Sequence, residues 1–381
     1  SANEQQSTAK QYPNIITVVN ETFADIKVLG DFKTNEDYMP YFHSLKKNCV
    51  TGYTYASIVG GQTANTEFEL LTGNTLGFLS AGTTAFQLYI HGQMPSLVSN
   101  LKAEGYSGNK AMHPFNPYNY NRPAVYKDFG FTDFIDKFDF PKNVKRVREY
   151  ISDEANVDRI ISEYEKNRKK TDQPFYMYNM TIQNHSPYDK DAANFKQPIK
   201  IESSKYDAEA NRYLNLIKYS DDSLKQLTSY FEKCKEPTII LFLGDHQPRL
   251  TDEFMNKITN GQYQTWSSEQ MMKRYQVPFV IWANYDIKGQ HIEKTSMNYI
   301  QSILTQTAGV KMTGYQRFLN EVRKEVPTIT SQGYWGKNGK FYQINDKGSP
   351  YYGIIQKYRM IQYNMMFDKK NRRDSFFEVS K

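Results

Sequence analysis

Short apolar runs that end abruptly in polar residues recur along the chain. NIITVVNE (14 to 21) is β-branched and apolar almost to its end, the pattern of a strand buried on both faces. FYMYNMTIQNH (175 to 185), PTIILFLGDH (237 to 246) and VPFVIWAN (277 to 284) repeat it. MPSLVSNLKAEGYSGNKAMH predicts a helix stopped at Gly105 and then a short strand. Between these runs, NVKRVREYISDEANVDRIISEYEKNRKK and DAEANRYLNLIKYSDDSLKQLTSYFEKC predict long helices. Strands alternating with helices predict an α/β fold, a mostly parallel sheet with helices on both faces. After SMNYIQSILTQTAG the pattern changes to glycine turns, a hairpin around GKNGKFYQINDKG and a Tyr/Met-rich helix at YYGIIQKYRMIQYNMMFD. The expected division is a linker or trimmed end over 1–13, a main domain over 14–312, and a small C-terminal α+β subdomain over 313–381.

In such sheets, ligands bind beyond the carboxyl ends of the strands. Glu21, His185, Asp245 and His246 all fall there. Asp245 and His246 in LGDHQPR suit a divalent cation if the backbone turns as the strand ends; a capping Asp beside a surface His is the plainer alternative. Glu21 is equally well read as a first-turn helix residue. Thr63, in GGQTANTEFELLTGN, has two readings. It belongs to a helix start at which Thr66 and Glu69 offer a capping box, and the positive end of that helix also suits a nucleophile that carries phosphate. His113, in MHPFNPYNYNR, leads to Tyr120 and Arg122. Together with His185 it is either an ordinary loop histidine or part of a phosphate grip.

The ordered set VVNETFAD, GGQTANTEFE, MHPFNPYNYNR, TIQNHSPYD and LGDHQPR resembles the extracellular catalytic domain of lipoteichoic acid synthase-type phosphoglycerol transferases. These belong to the alkaline phosphatase and sulfatase superfamily. The resemblance covers roughly residues 14 to 312, and within the family it looks like the streptococcal branch that adds glycerol phosphate to the group-specific wall carbohydrate. It implies a metal site of Glu21, Thr63, Asp245 and His246 holding one Mn2+ or Mg2+, with Thr63 as nucleophile. It also implies that His113, Tyr120, Arg122 and His185 grip the glycerol phosphate. Tyr120 stands where relatives place tryptophan, and Phe115 where they can place a polar residue. Sulfatases need a modifiable Cys or Ser followed by Pro and Arg, which Thr63 with ANTEFE lacks. Phosphoethanolamine transferases usually carry several disulfides, and two-metal phosphatases more Asp and His ligands.

The function so implied is transfer of sn-glycerol-1-phosphate from phosphatidylglycerol, through Thr63, to a sugar hydroxyl of a cell-wall polysaccharide. The alternatives are extension of polyglycerol phosphate and an inactive glycopolymer-binding module. The implied location is the extracellular face of a bacterial membrane, with membrane helices N-terminal to this stretch.

Composition narrows this picture. A mean hydropathy of -0.72 and the lack of any run near the ~18 apolar residues of a span predict a soluble domain. The N-terminus has no signal-peptide pattern. The net charge of +7 is spread out, with short runs such as EKNRKK and DKKNRRD read as solvated faces, and no nucleic-acid motif accompanies it. The two cysteines, Cys49 and Cys234, match no zinc spacing and are expected to be unpaired. The 30 tyrosines exceed what a core needs, so many should lie near the surface, where sugar or lipid headgroups bind.

Overall fold

The computed structural model describes residues 12–202 and 205–379, so residues 1–11 of the expected linker lie outside it. Eight strands form the main sheet: β1 (Asn14–Asn20), β2 (Cys49–Tyr55), β3 (Ser107–Met112), β4 (Asp133–Ile135), β5 (Phe175–Met180), β6 (Thr238–Gly244), β7 (Gln276–Ala283) and β8 (Gln290–Ser296). Their order is β8-β2-β7-β6-β1-β5-β3-β4. Every pairing is parallel except the two made by β7, which runs against β6 and β2.

Side-chain alternation divides β1 between two cores. Ile15 and Val19 face one, with helices α1 (Thr63–Thr72), α2 (Leu97–Ala103), α3 (Arg122–Phe129) and α6 (Met297–Ala308). Ile16 and Val18 face the other, with α4 (Asp153–Arg168) and α5 (Ala208–Phe231). The sheet is therefore covered on both faces, which is why its central strands read as unbroken apolar runs.

The helix expected across 143–170 is a helix only in its second half. Arg146–Val147 and Tyr150–Ile151 pair as a hairpin, with Arg148 left-handed at φ 55. The helix starts at Asp153, capped by Ser152, whose hydroxyl accepts the Ala155 amide at 3.1 Å. The hairpin points Arg148 across the chain, where its guanidinium donates to the carbonyls of Gln183 and His185, both at 2.8 Å.

After 313 come α7 (Gly314–Glu325), a three-stranded antiparallel sheet and α8 (Tyr352–Met366). Tyr315, Leu319, Ile355 and Tyr358 join Phe68 and Leu71 of α1 in one core. The Tyr315 and Tyr358 hydroxyls both donate to the Gly73 carbonyl, at 2.9 and 2.6 Å, satisfying the end of α1. Cys49 and Cys234 are free thiols. No described helix is long and apolar enough to cross a membrane.

Candidate active site

β1 and β6 are adjacent and in register, with Asn20 opposite Gly244, so Glu21 and Asp245 leave the sheet side by side. Thr22 turns left-handed at φ 55, and its amide donates to Asp245 Oδ1 at 2.7 Å. The His246 amide donates to the same oxygen at 2.8 Å. That leaves Asp245 Oδ2 to accept the Thr63 hydroxyl at 2.8 Å.

Gly60, Gly61 and Gln62 all have positive φ, at 67°, 148° and 62°, and deliver Thr63 as the first residue of α1. Gln62 makes no side-chain cap, so no capping group covers the first amides of this helix. The capping box expected from Thr66 and Glu69 does not form, because both lie inside the helix. The Thr66 hydroxyl donates to the Asp245 carbonyl at 2.8 Å, and Glu69 accepts the Ser57 hydroxyl at 2.7 Å and the Leu76 amide at 2.9 Å. Thr66 thus ties α1 to the strand end that carries Asp245.

Glu21, Asp245 and His246 are buried, and ligand atoms of all three lie within 4.8 Å of one another. His246 Nδ1 is 3.0 Å from the Gln247 carbonyl, which can only accept, so the proton sits there and Nε2 presents a lone pair. Nε2 is buried without a hydrogen-bond partner, 3.2 Å from Asp245 Oδ2 and 3.7 Å from Glu21 Oε1. A lone pair facing two carboxylate oxygens is repulsive unless a proton or a metal cation lies between them. Burial, and then the Asp245 charge, push the Glu21 carboxyl upward. Three such donors relieved by one positive charge fit a divalent metal.

A cavity of about 320 Å³ opens over this cluster. Glu21, Thr63, His113, Tyr120, Arg122, His185 and His246 all line it, while Asp245 lies directly behind. Arg122 is 1% exposed, and its Nε and Nη2 donate to Glu67 Oε1 at 3.1 and 2.6 Å. The Tyr126 and Tyr178 hydroxyls donate to the other oxygen of Glu67. Tyr120, left-handed at φ 59, sets its ring 5.2 Å from the guanidinium. His113 Nδ1 is 3.0 Å from the Met180 carbonyl, which again fixes the proton on that nitrogen. Burial and then Arg122 hold its pKa well below the usual histidine range, so the ring is neutral and Nε2 is an acceptor. His185 stacks on Phe115 at 6.2 Å, with Tyr150 also against it.

Several lining or supporting residues had no signal in the sequence. Glu67 lies one turn beyond Thr63, and i, i+4 spacing was the only hint that the two share a face. Arg148 holds the loop of His185 from a segment read as helix. Arg249, at the end of LGDHQPR, lines the cavity beside Gly60, where an added Cβ would lie 2.3 Å from Arg249 Cγ.

A family model described as Sulfatase matches residues 13–310. A protein of Rhizobium meliloti (strain 1021) named for cyclic beta-1,2-glucan modification is 30% identical over 98% of this chain. The chain spans only 57% of that relative's length. Among solved structures, the Streptococcus pyogenes phosphoglycerol transferase GacH in complex with sn-glycerol-1-phosphate is similar with a TM-score of 0.76 and 20% identity, over 97% of this chain and 90% of that one. The lipoteichoic acid synthase LtaP from Listeria monocytogenes follows with a TM-score of 0.70 and 20% identity, over 93% of each chain. The chain belongs to the sulfatase family and has the fold of the phosphoglycerol transferases of the lipoteichoic acid synthase type.

Proposed function

We propose that the protein is a metal-dependent phosphoglycerol transferase acting through Thr63. The observation that carries this reading is the Thr63 hydroxyl, at a helix start, 2.8 Å from Asp245 and beside the unpartnered His246 Nε2. Glu21, Asp245, His246 and Thr63 would hold one Mn2+ or Mg2+, which when bound lowers the hydroxyl's pKa and screens phosphoryl charge.

In the first step, Thr63 Oγ1 gives up its proton and forms a bond to the phosphorus of phosphatidylglycerol, and the bond to diacylglycerol breaks, its oxygen taking a proton. In the second, an acceptor hydroxyl attacks the same phosphorus, loses its proton, and releases Thr63. Arg122 faces the phosphoryl group as a cation already neutralised by Glu67, which keeps it oriented without a net local charge. Neutral His113 accepts a hydrogen bond from a glycerol hydroxyl, and His185 closes the opposite side on its Phe115 platform. The open amides of α1 meet the anion.

The acceptor in this reading is a sugar hydroxyl of a glycan, such as a cell-wall polysaccharide. A relative named for glucan modification that aligns with nearly the whole chain supports a sugar over polyglycerol phosphate. The segment 313–381 serves as a subdomain that holds the far end of α1. In this reading the domain works outside the cell at the membrane surface, attached by helices N-terminal to this stretch, and its likeness to lipoteichoic acid synthases supports that location. Headgroup-labelled phosphatidylglycerol, offered with cyclic β-1,2-glucan or with polyglycerol phosphate, tests the reading. Label on the glucan is expected; label on polyglycerol phosphate alone reverses the acceptor, and label on neither removes the activity.

A further inference from the structure

The outward stripe of α8 inverts the usual pattern of a surface helix, whose solvent face is charged and polar. Lys357, Met360 and Tyr363, with Phe367 just beyond the helix, recur every three or four residues and all point outward. Met360 is 65% exposed, Tyr363 60% and Phe367 45%, and the only charge in the stripe is a cation.

Beside it lies a cavity of about 400 Å³ walled by Phe318, Ile361, Phe376 and Phe377. Lys357 and Arg373 border this apolar space. Lys357 lies over the Phe318 ring at 5.6 Å, and neither cation is ion-paired among the described residues. Lys369 and Lys370 of the DKKNRRD run are exposed at the same end of α8. Apolar depth with a cationic border is the chemistry of a phospholipid, acyl chain below and phosphate above.

The patch is also connected to the active site. Phe367 packs edge-on against Tyr89 at 5.5 Å, and Lys369 hydrogen-bonds the His91 carbonyl. Leu88, next in the chain, is 54% exposed, and Gln87 before it lines the catalytic cavity. Exposed Phe367 and Leu88 thus flank Tyr89, and Gln87 of the cavity wall lies two residues from that contact.

We propose that this face seats the protein on a bilayer of anionic phospholipid. Met360, Tyr363, Phe367 and the phenylalanine-walled cavity enter the acyl boundary, and Lys357, Arg373 and Lys370 meet lipid phosphates. The seat brings Gln87 and the cavity beside it to the lipid surface. Its purpose rests on the proposed lipid donor, but the binding itself does not.

The test is co-sedimentation of the full chain with vesicles of phosphatidylcholine, alone or mixed with phosphatidylglycerol, alongside cleavage of phosphatidylglycerol dispersed in detergent. The protein is expected to bind the mixed vesicles, less so as salt rises. Met360→Asp with Tyr363→Asp should abolish that binding, and Lys357→Gln and Arg373→Gln should weaken it roughly fivefold each. None of these exposed residues touches the catalytic cluster, so cleavage in detergent should persist in the variants. Vesicle binding with no cleavage by the unaltered protein leaves the seat standing and removes the catalytic reading. Equal binding to phosphatidylcholine alone, unchanged binding by the Asp variant, or self-association of the chain through this face overturns the proposal.

Discussion

Thr63 is caught between two roles that one geometry serves. As the first residue of α1 it sits at a helix start that no side chain caps, and as a hydroxyl it already donates to Asp245. Thr63→Ala deletes only that hydroxyl and a methyl group. The variant should therefore lose transfer while its thermal unfolding stays near that of the unaltered protein, measurable by activity assay and calorimetry on one sample. Glu67 is the opposite case. It supports the site from a fully buried position through Arg122, Tyr126 and Tyr178. Glu67→Gln leaves a buried guanidinium uncompensated, which should cost about 3 kcal/mol in urea unfolding and lower transfer together with stability. His246→Gln should abolish the rise in melting temperature that added Mn2+ is expected to give the unaltered protein, because binding to the native state alone stabilises it.

At the scale of elements, close backbone approaches hold the cluster. A Cβ on Gly244 would fall 1.8 Å from the Phe23 carbonyl oxygen, so β6 can end beside the turn after β1 only with glycine there. Gly244→Ala should destabilise by about 3 kcal/mol in denaturant unfolding and impair metal-dependent stabilisation, since the turn it displaces carries Glu21 and Thr22. The sequence made the central strands legible because burial on both faces writes them as apolar runs, and it placed Glu21, Asp245 and His246 at strand ends. It hid β2, whose CVTGYTY alternates weakly, and it hid the antiparallel sense of β7, because direction leaves no mark on a buried strand. The hairpin at 146–151 looked helical because VKRVREYI is rich in charged helix formers. In the fold that stretch is extended, and Arg148 from its turn clamps the loop of His185. Glu69 suggested a capping box by spacing alone, and long-range bonds from Ser57 and Leu76 took its carboxylate instead.

Across the whole molecule, ionisation outside the site gives stability a pH dependence of its own. His43 Nδ1 lies 2.7 Å from Asp37, and its other nitrogen faces Asp25. The nearby Asp25 carboxylate first, and then the hydrogen bond to Asp37, raise its pKa from 6.5 to about 9. A histidine with a raised folded-state pKa contributes stability that is fully present below about 6.5 and is lost as pH rises through about 9. The melting temperature should therefore fall across that window, and His43→Gln should flatten the fall.

The two-sided sheet gathers strand ends, the start of α1 and the His185 loop at one rim, while the segment after 313 grips the other end of α1. That arrangement makes one residue the centre of the account. The most direct test is to mix the protein with headgroup-labelled phosphatidylglycerol, quench, digest, and locate the label by mass spectrometry. Glycerol phosphate is expected covalently attached to the peptide containing Thr63, discharged when the glycan acceptor is added and absent from Thr63→Ala. Label on another residue, or transfer by Thr63→Ala with no covalent adduct, would contradict it.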